Sequence, residues 1–152
     1  LHIYGGGDME SLVRERAKAD DRIIYFGSVP NTQVVEAERR ATLLVNPRPS
    51  NQRFTKYSFP SKTLEYMASG RPVLMTRLPA MPEEYLRHVW IVEDETSAGF
   101  AEKIRAILSM DGTVLDNMGL AAQRFVLQEK NSKKQAARIL ELLQTMAGKQ
   151  KG

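Results

Sequence analysis

The chain has no cysteine, only two histidines and a single tryptophan in 152 residues. Without cysteine there is no disulfide scaffold, no zinc–thiolate site and no thiol catalysis, and the absence fits a cytosolic setting without proving it. His2 and His88 are too few for a histidine-rich metal site, and no metal ligands are expected. No run approaches the roughly 18 apolar residues of a membrane-spanning helix. The opening Leu1-His2-Ile3-Tyr4 has neither the charged segment nor the apolar core of a secretory signal. Charge of one sign is scarce too: 22 Lys+Arg against 18 Asp+Glu leave +4. That excess suits phosphates or an anionic membrane surface but is no nucleic-acid signature. What remains is ordinary globular composition, 42% hydrophobic and 26% charged, at a length that fits one domain.

Short apolar runs alternate with amphipathic stretches. Strands are expected at Leu1–Tyr4, Ile23–Phe26, Thr42–Val45, Pro72–Met75 and Val89–Val92. Helices are expected at 8–19 with Asp8 as cap, at 32–40 with Asn31 as cap, and at 62–69 opened by Ser61 and ended by Gly70. Three more should fill 97–110, 114–128 and 132–146, the last starting with a Ser132…Gln135 capping box. The alternation predicts an α/β domain whose parallel strands are buried on both faces. Residues 1–147 form that domain, and 148–152 read as a tail. Met67, Met75, Met81 and Met118 fall on apolar positions and read as core, and His88 as packed or solvent-facing.

In a doubly wound sheet, ligands bind at the carboxyl ends of the strands. Gly5-Gly6-Gly7 lets the backbone approach a ligand, or simply makes a tight strand-to-helix turn. It is neither GxGxxG nor a P-loop. Ser61 and Thr63 lie in a first helical turn, where free amides and the dipole favour phosphate, and Lys62 adds a point charge. Glu65, one turn on, can accept two hydrogen bonds from adjacent hydroxyls, as on a ribose. Equally, Lys62 and Glu65 can be a solvated pair worth about 0.2–0.5 kcal/mol. The stretch from Arg48 to Pro60 exceeds the usual connection of about 4–6 residues, and longer connections are often functional. Arg48, Arg53, Lys56 and Lys62 bring four positive charges to this edge, enough for a diphosphate.

Four segments, taken in order, resemble a known family: Ile3-Tyr4-Gly5-Gly6-Gly7-Asp8, Phe26-Gly27-Ser28-Val29-Pro30, Val45-Asn46-Pro47-Arg48-Pro49-Ser50, and the specific block from Pro60-Ser61-Lys62-Thr63-Leu64-Glu65 through Gly70-Arg71-Pro72-Val73-Leu74. The chain resembles the C-terminal, nucleotide-sugar-binding half of GT-B-fold retaining glycosyltransferases of group 1, family 4 type, the group that includes capsule, O-antigen and exopolysaccharide enzymes. The resemblance implies a Rossmann-like doubly wound sheet with helices on both faces. It also implies transfer of a sugar from a UDP-, GDP- or ADP-sugar to a saccharide or lipid-linked acceptor, with no further cofactor. Glu65 matches the second glutamate of the family's Glu-x7-Glu motif, which holds the ribose. Ser61, Lys62, Thr63 and Leu64 match backbone amides facing the diphosphate. Val29 matches the loop lining the base, and Gly5, Gly6 and Gly7 the turn beside the nucleotide. The first glutamate falls at Tyr57, where this sequence departs, so Tyr57, Ser58 and Phe59 are the candidates near the sugar.

A second departure concerns the family's first strand and helix and its N-terminal acceptor domain, where the catalytic residues are expected. They precede the segment matching Leu1 and are absent from this sequence. The missing strand would lie mid-sheet in the 3-2-1-4-5-6 order. This predicts an altered sheet centre, or a homo-oligomer by strand donation, and no turnover from this chain alone. The intact enzyme would be cytoplasmic, or peripheral at the inner face of a membrane. The alternatives are a non-catalytic nucleotide-binding or regulatory module, and an anion- or nucleic-acid-binding protein with steep salt dependence.

Overall fold

A computed structural model describes residues 1–149. The chain divides into two compact units, Leu1–Arg40 and the remainder from Ala41 onward.

The first unit runs β1 (His2–Tyr4), α1 (Glu10–Ala19), β2 (Ile24–Gly27) and α2 (Asn31–Arg40). β1 and β2 pair in parallel, His2 opposite Ile24 and Ile3 opposite Tyr25, with an irregularity before Tyr4 meets Gly27. Beside the pair, Arg14 of α1 sits 4.8 Å from the Tyr25 ring. Glu10 accepts from Arg14 at 2.7 Å one turn on, and it also places negative charge at the helix start, where the dipole favours it. Asp8 is not the cap. Met9 takes that position with no side-chain bond, and the turn is closed by Glu10 N–H donating to the Gly7 carbonyl at 3.0 Å. Asn31 is likewise the first residue of α2 rather than a residue before it.

The second unit runs β3 (Leu44–Asn46), a 3-10 turn (Arg53–Lys56), α3 (Ser61–Ala68), β4 (Val73–Thr76), α4 (Glu83–Leu86), β5 (Trp90–Val92), α5 (Ser97–Leu108), α6 (Gly112–Glu129) and α7 (Ser132–Lys149). Its sheet is parallel, in the order β3-β4-β5. Every residue of β4 is buried, and alternation along the strand feeds two cores. Val73 and Met75 pack with Met67, Leu78, Met81, Tyr85, Val89 and Ala122. Leu74 packs with Val92, Ile107 and Leu115. Thr96 caps α5 by accepting from Gly99 N–H, and Asp111 caps α6 through Thr113 N–H.

Among the described residues the strands form two ladders, β1-β2 in the first unit and β3-β4-β5 in the second. Burial on both faces holds for β4 but not for β2, where Ile24 and Phe26 are exposed. A two-stranded ladder leaves more of its surface uncovered than a central strand does. Met67, Met75 and Met81 are core residues, and Met118 is half-buried. The helix expected to end at Met146 continues to Lys149, so Gly148 and Lys149 belong to α7 and the rest of the expected tail lies outside the described residues. Its start is capped by Asn131, whose Oδ1 accepts from Lys134 N–H at 2.9 Å, not by a Ser132–Gln135 box. Gln135 reaches back to the Glu129 carbonyl instead.

Candidate functional site

Parallel strands bring their carboxyl ends to one edge, so the turns leaving them are neighbours within each unit. In the first unit those turns are Gly5–Gly7 and Gly27–Pro30. Gly5 adopts φ +104°, a backbone region closed to most side chains. Its N–H donates to the Gly27 carbonyl at 2.8 Å, and its carbonyl accepts from the Tyr25 hydroxyl at 2.6 Å. Gly6 and Gly7 follow exposed, and Val29 is half-buried in the neighbouring turn. The glycine turn is therefore both tightly built and open on its outer side.

In the second unit the connection from β3 to α3 is pinned at several points. The Thr76 hydroxyl, at the end of β4, donates to the Arg48 carbonyl. Ser50 N–H donates to Glu95 Oε2 at 3.0 Å, in the turn after β5. Buried Thr55 donates to the Ser50 carbonyl at 2.9 Å and to the Gln52 carbonyl at 2.5 Å. Asn46 Nδ2 donates to Thr63 Oγ1 at 3.0 Å, tying the end of β3 to the first turn of α3. The loop is thus a fixed platform carrying Arg48, Arg53 and Lys56, with the Arg48 guanidinium 4.6 Å from the Phe54 ring centre.

Pro60, buried at the cap position, precedes α3. Ser61 and Lys62 are exposed at the helix start, and Leu64 is half-buried. Thr63 is fully buried. Its hydroxyl points to Asn46 and Met75, and its N–H donates to the Pro60 carbonyl at 2.9 Å. The Glu65 carboxylate is 45% exposed and holds Lys62 Nζ at 2.6 Å, the pair that the spacing allows. Tyr57 is 84% exposed. Ser58 is half-buried, and Phe59 packs edge-on against Tyr85 at 5.2 Å. The helix start, Lys62 and Glu65, and the loop bearing Tyr57–Phe59 are therefore contiguous along one strand-to-helix connection. Asn46, Thr55, Thr76 and Glu95, which hold it, escape sequence reasoning because they act between strand ends and follow no local pattern.

His88 stacks on Phe125 at 4.3 Å. Burial, and secondarily the Arg87 charge, lower its pKa. Among the described residues no group of three or more His, Asp or Glu side chains is arranged to hold a metal ion. No described helix is long and apolar enough to cross a membrane.

Fold and site together define a Rossmann-like α/β chain whose loops and helix starts gather at the carboxyl ends of parallel strands. The family profile described as "Glycosyl transferases group 1" matches residues 1–110, and the chain belongs to that family. Its fold is similar to that in "Crystal Structure of TarM", with TM-score 0.71 at 18% identity. That match covers 93% of this chain and 28% of the TarM chain. No curated protein matches the chain.

Proposed function

We propose that residues 1–147 form the donor-binding domain of an enzyme that moves a sugar from a nucleoside-diphosphate sugar to a saccharide or lipid-linked acceptor, with retention at the anomeric carbon, in cell-surface polysaccharide synthesis. The observation that carries this reading is the start of α3, where Ser61, Lys62 and Glu65 stand exposed within one turn beside a pinned loop rich in cations. Helix amides and Lys62 meet the diphosphate, while Arg48, Arg53 and Lys56 offset its charge. Glu65 leaves Lys62 to accept the two ribose hydroxyls. In the first unit the family resemblance assigns Gly5–Gly7 and Val29 to the nucleotide, and in the second it assigns Tyr57, Ser58 and Phe59 to the sugar in place of a glutamate. Catalysis is positioning plus electrostatic stabilisation of the leaving diphosphate. The acceptor site and catalytic groups belong to a further domain, so this chain alone binds donor without turnover, on the cytoplasmic side of a membrane. β3 pairs only with β4 among the described strands, and its other edge is the one to which a second copy would donate a strand; light scattering would read that dimer.

Calorimetry with UDP, GDP and ADP on the wild type and on Glu65→Gln tests the reading. One nucleotide should bind, and Glu65→Gln should weaken it by about tenfold or more, in line with the loss of charge-assisted hydrogen bonds. Equal affinity for the two proteins removes Glu65 from the ribose. Binding that depends steeply on salt and is blind to base and ribose points to a bare anion site.

A further inference from the structure

Lys130, just past the end of α6, keeps its side chain only 5% exposed. Taking an ammonium out of water is costly unless partners replace the water. Here the partners are the Glu84 carboxylate and two ring faces, Tyr85 at 4.9 Å and Phe125 at 5.2 Å. Tyr85 is the hub of the group. It is buried in the core beside β4, and it meets the rings of Phe125 and Phe59 edge-on, each at 5.2 Å. The helix that carries Glu84 and Tyr85, α4, has four residues, far below the length at which a helix holds itself. Its position is set by what those two side chains grip.

Phe59 is where that grip reaches the candidate site, since residues 57–59 lie between the 3-10 turn and α3. The start of α3 is held by a different set: Asn46 Nδ2 on Thr63 Oγ1, and Thr63 N–H on the Pro60 carbonyl. The two parts of the connection therefore have separate supports, one polar and anchored on β3, the other aromatic and anchored on α4 and α6. We propose that Tyr85 and Lys130 are positioning residues for the donor sugar. Lys130, clasped by Glu84, fixes the Tyr85 ring; Tyr85 fixes Phe59; and Phe59 sets where Tyr57 and Ser58 stand. This rests on the donor-site reading, and adds that recognition of the sugar is altered from here while recognition of the nucleotide stays.

Calorimetry of the full chain tests it through a ratio of affinities: that for UDP-glucose, GDP-mannose or ADP-glucose over that for the matching UDP, GDP or ADP. Tyr85→Leu keeps an apolar side chain without the ring. It should lower the ratio by about fivefold, the size of a lost aromatic pair, with nucleotide affinity unchanged. Lys130→Met, similar in length but uncharged, should lower it by about twofold. Tyr85→Phe keeps the ring and should match the wild type. Leu74→Ala weakens the other core and should leave the ratio alone, which separates positioning from mere loss of stability. Circular dichroism checks folding, and Lys130→Met decides if Tyr85→Leu does not fold. A ratio that neither variant moves, or that Leu74→Ala moves as much, overturns the proposal and leaves the donor-site reading standing. So does a wild type that binds a nucleotide but none of the sugar conjugates. A wild type that binds no nucleotide removes the donor-site reading, and the proposal with it.

Discussion

The two compact units are built from the same strand–helix alternation, yet they bury very different amounts of it. Among the described residues of Leu1–Arg40, only Gly27 and Glu38 are buried, and Ile24 and Phe26 of β2 remain exposed. In the unit from Ala41, β4 is buried throughout, between two apolar clusters. A strand's apolar run therefore sets its conformation, whereas its burial depends on how many layers surround it. A piece of about 40 residues sits at the lower limit for an independent core. The glycine turn accordingly stands on the weaker support, and α3 on the stronger.

This contrast can be broken most forcefully at the seam between α3 and α6. A Cβ at Gly119 would lie 2.2 Å from the Gly70 carbonyl oxygen, a backbone atom that cannot move aside cheaply. Gly119→Leu should cost about 3 kcal/mol or more and lower the denaturant midpoint of the second unit. Exchange of amides in β1 and β2 should barely change. Next in size, Leu74→Ala should cost about 3 kcal/mol from a fully buried site, while Phe26→Ala, exposed and stacked on Tyr4, should cost about 1 kcal/mol or less. Similar losses at both positions, in parallel denaturant titrations, would erase the distinction between the units.

Two pH effects sharpen it further. The lowered pKa of His88 means that the unfolded chain takes up a proton more readily than the folded one. Stability from this group is complete above the ordinary value of 6.5 and is lost as pH falls from there toward the lower folded value. Thermal midpoints of the second unit should drop between neutral and mildly acidic pH, and His88→Phe should flatten that slope. The smallest effect belongs to the first unit. Asp20, held by the Arg22 side chain and backbone N–H, has its pKa lowered to about 2. Its contribution is present above the ordinary 3.8 and disappears as pH falls through about 2. Being exposed, it should also fade in high salt. Asp20→Asn should lower the neutral-pH stability of that unit slightly and reduce its acid sensitivity by the same small amount.

Much of the second unit was legible because its signals are local. Pro72-Val73-Leu74-Met75 is an unbroken apolar run after Gly70, and Ser61 to Ala68 carries helical spacing. The 3-10 turn at Arg53–Lys56 and the four-residue α4 have too few residues to show a period. Caps were misplaced by one residue or more where competing groups stood side by side: Asn131 reaches Lys134 N–H before Ser132 can act, and at α1 the Gly7 carbonyl does the work expected of Asp8. For the candidate site, the exposed helix start, Lys62 and Glu65 could be read from residue type and spacing. That Thr63 would turn inward could not, because its partners Asn46 and Met75 are supplied by two different strands.

The close approach of Gly70 and Gly119 has a geometric consequence for the far end of α3. Gln123 also donates to the Ala68 carbonyl there at 2.9 Å, so this end of the helix is clamped. Eight residues of helix make a rod about 12 Å long. A tilt of about 10° at the clamp would swing the other end through about 2 Å. Any side chain wedged into the glycine contact therefore acts with leverage on Ser61 and Lys62, a full helix length from the insult.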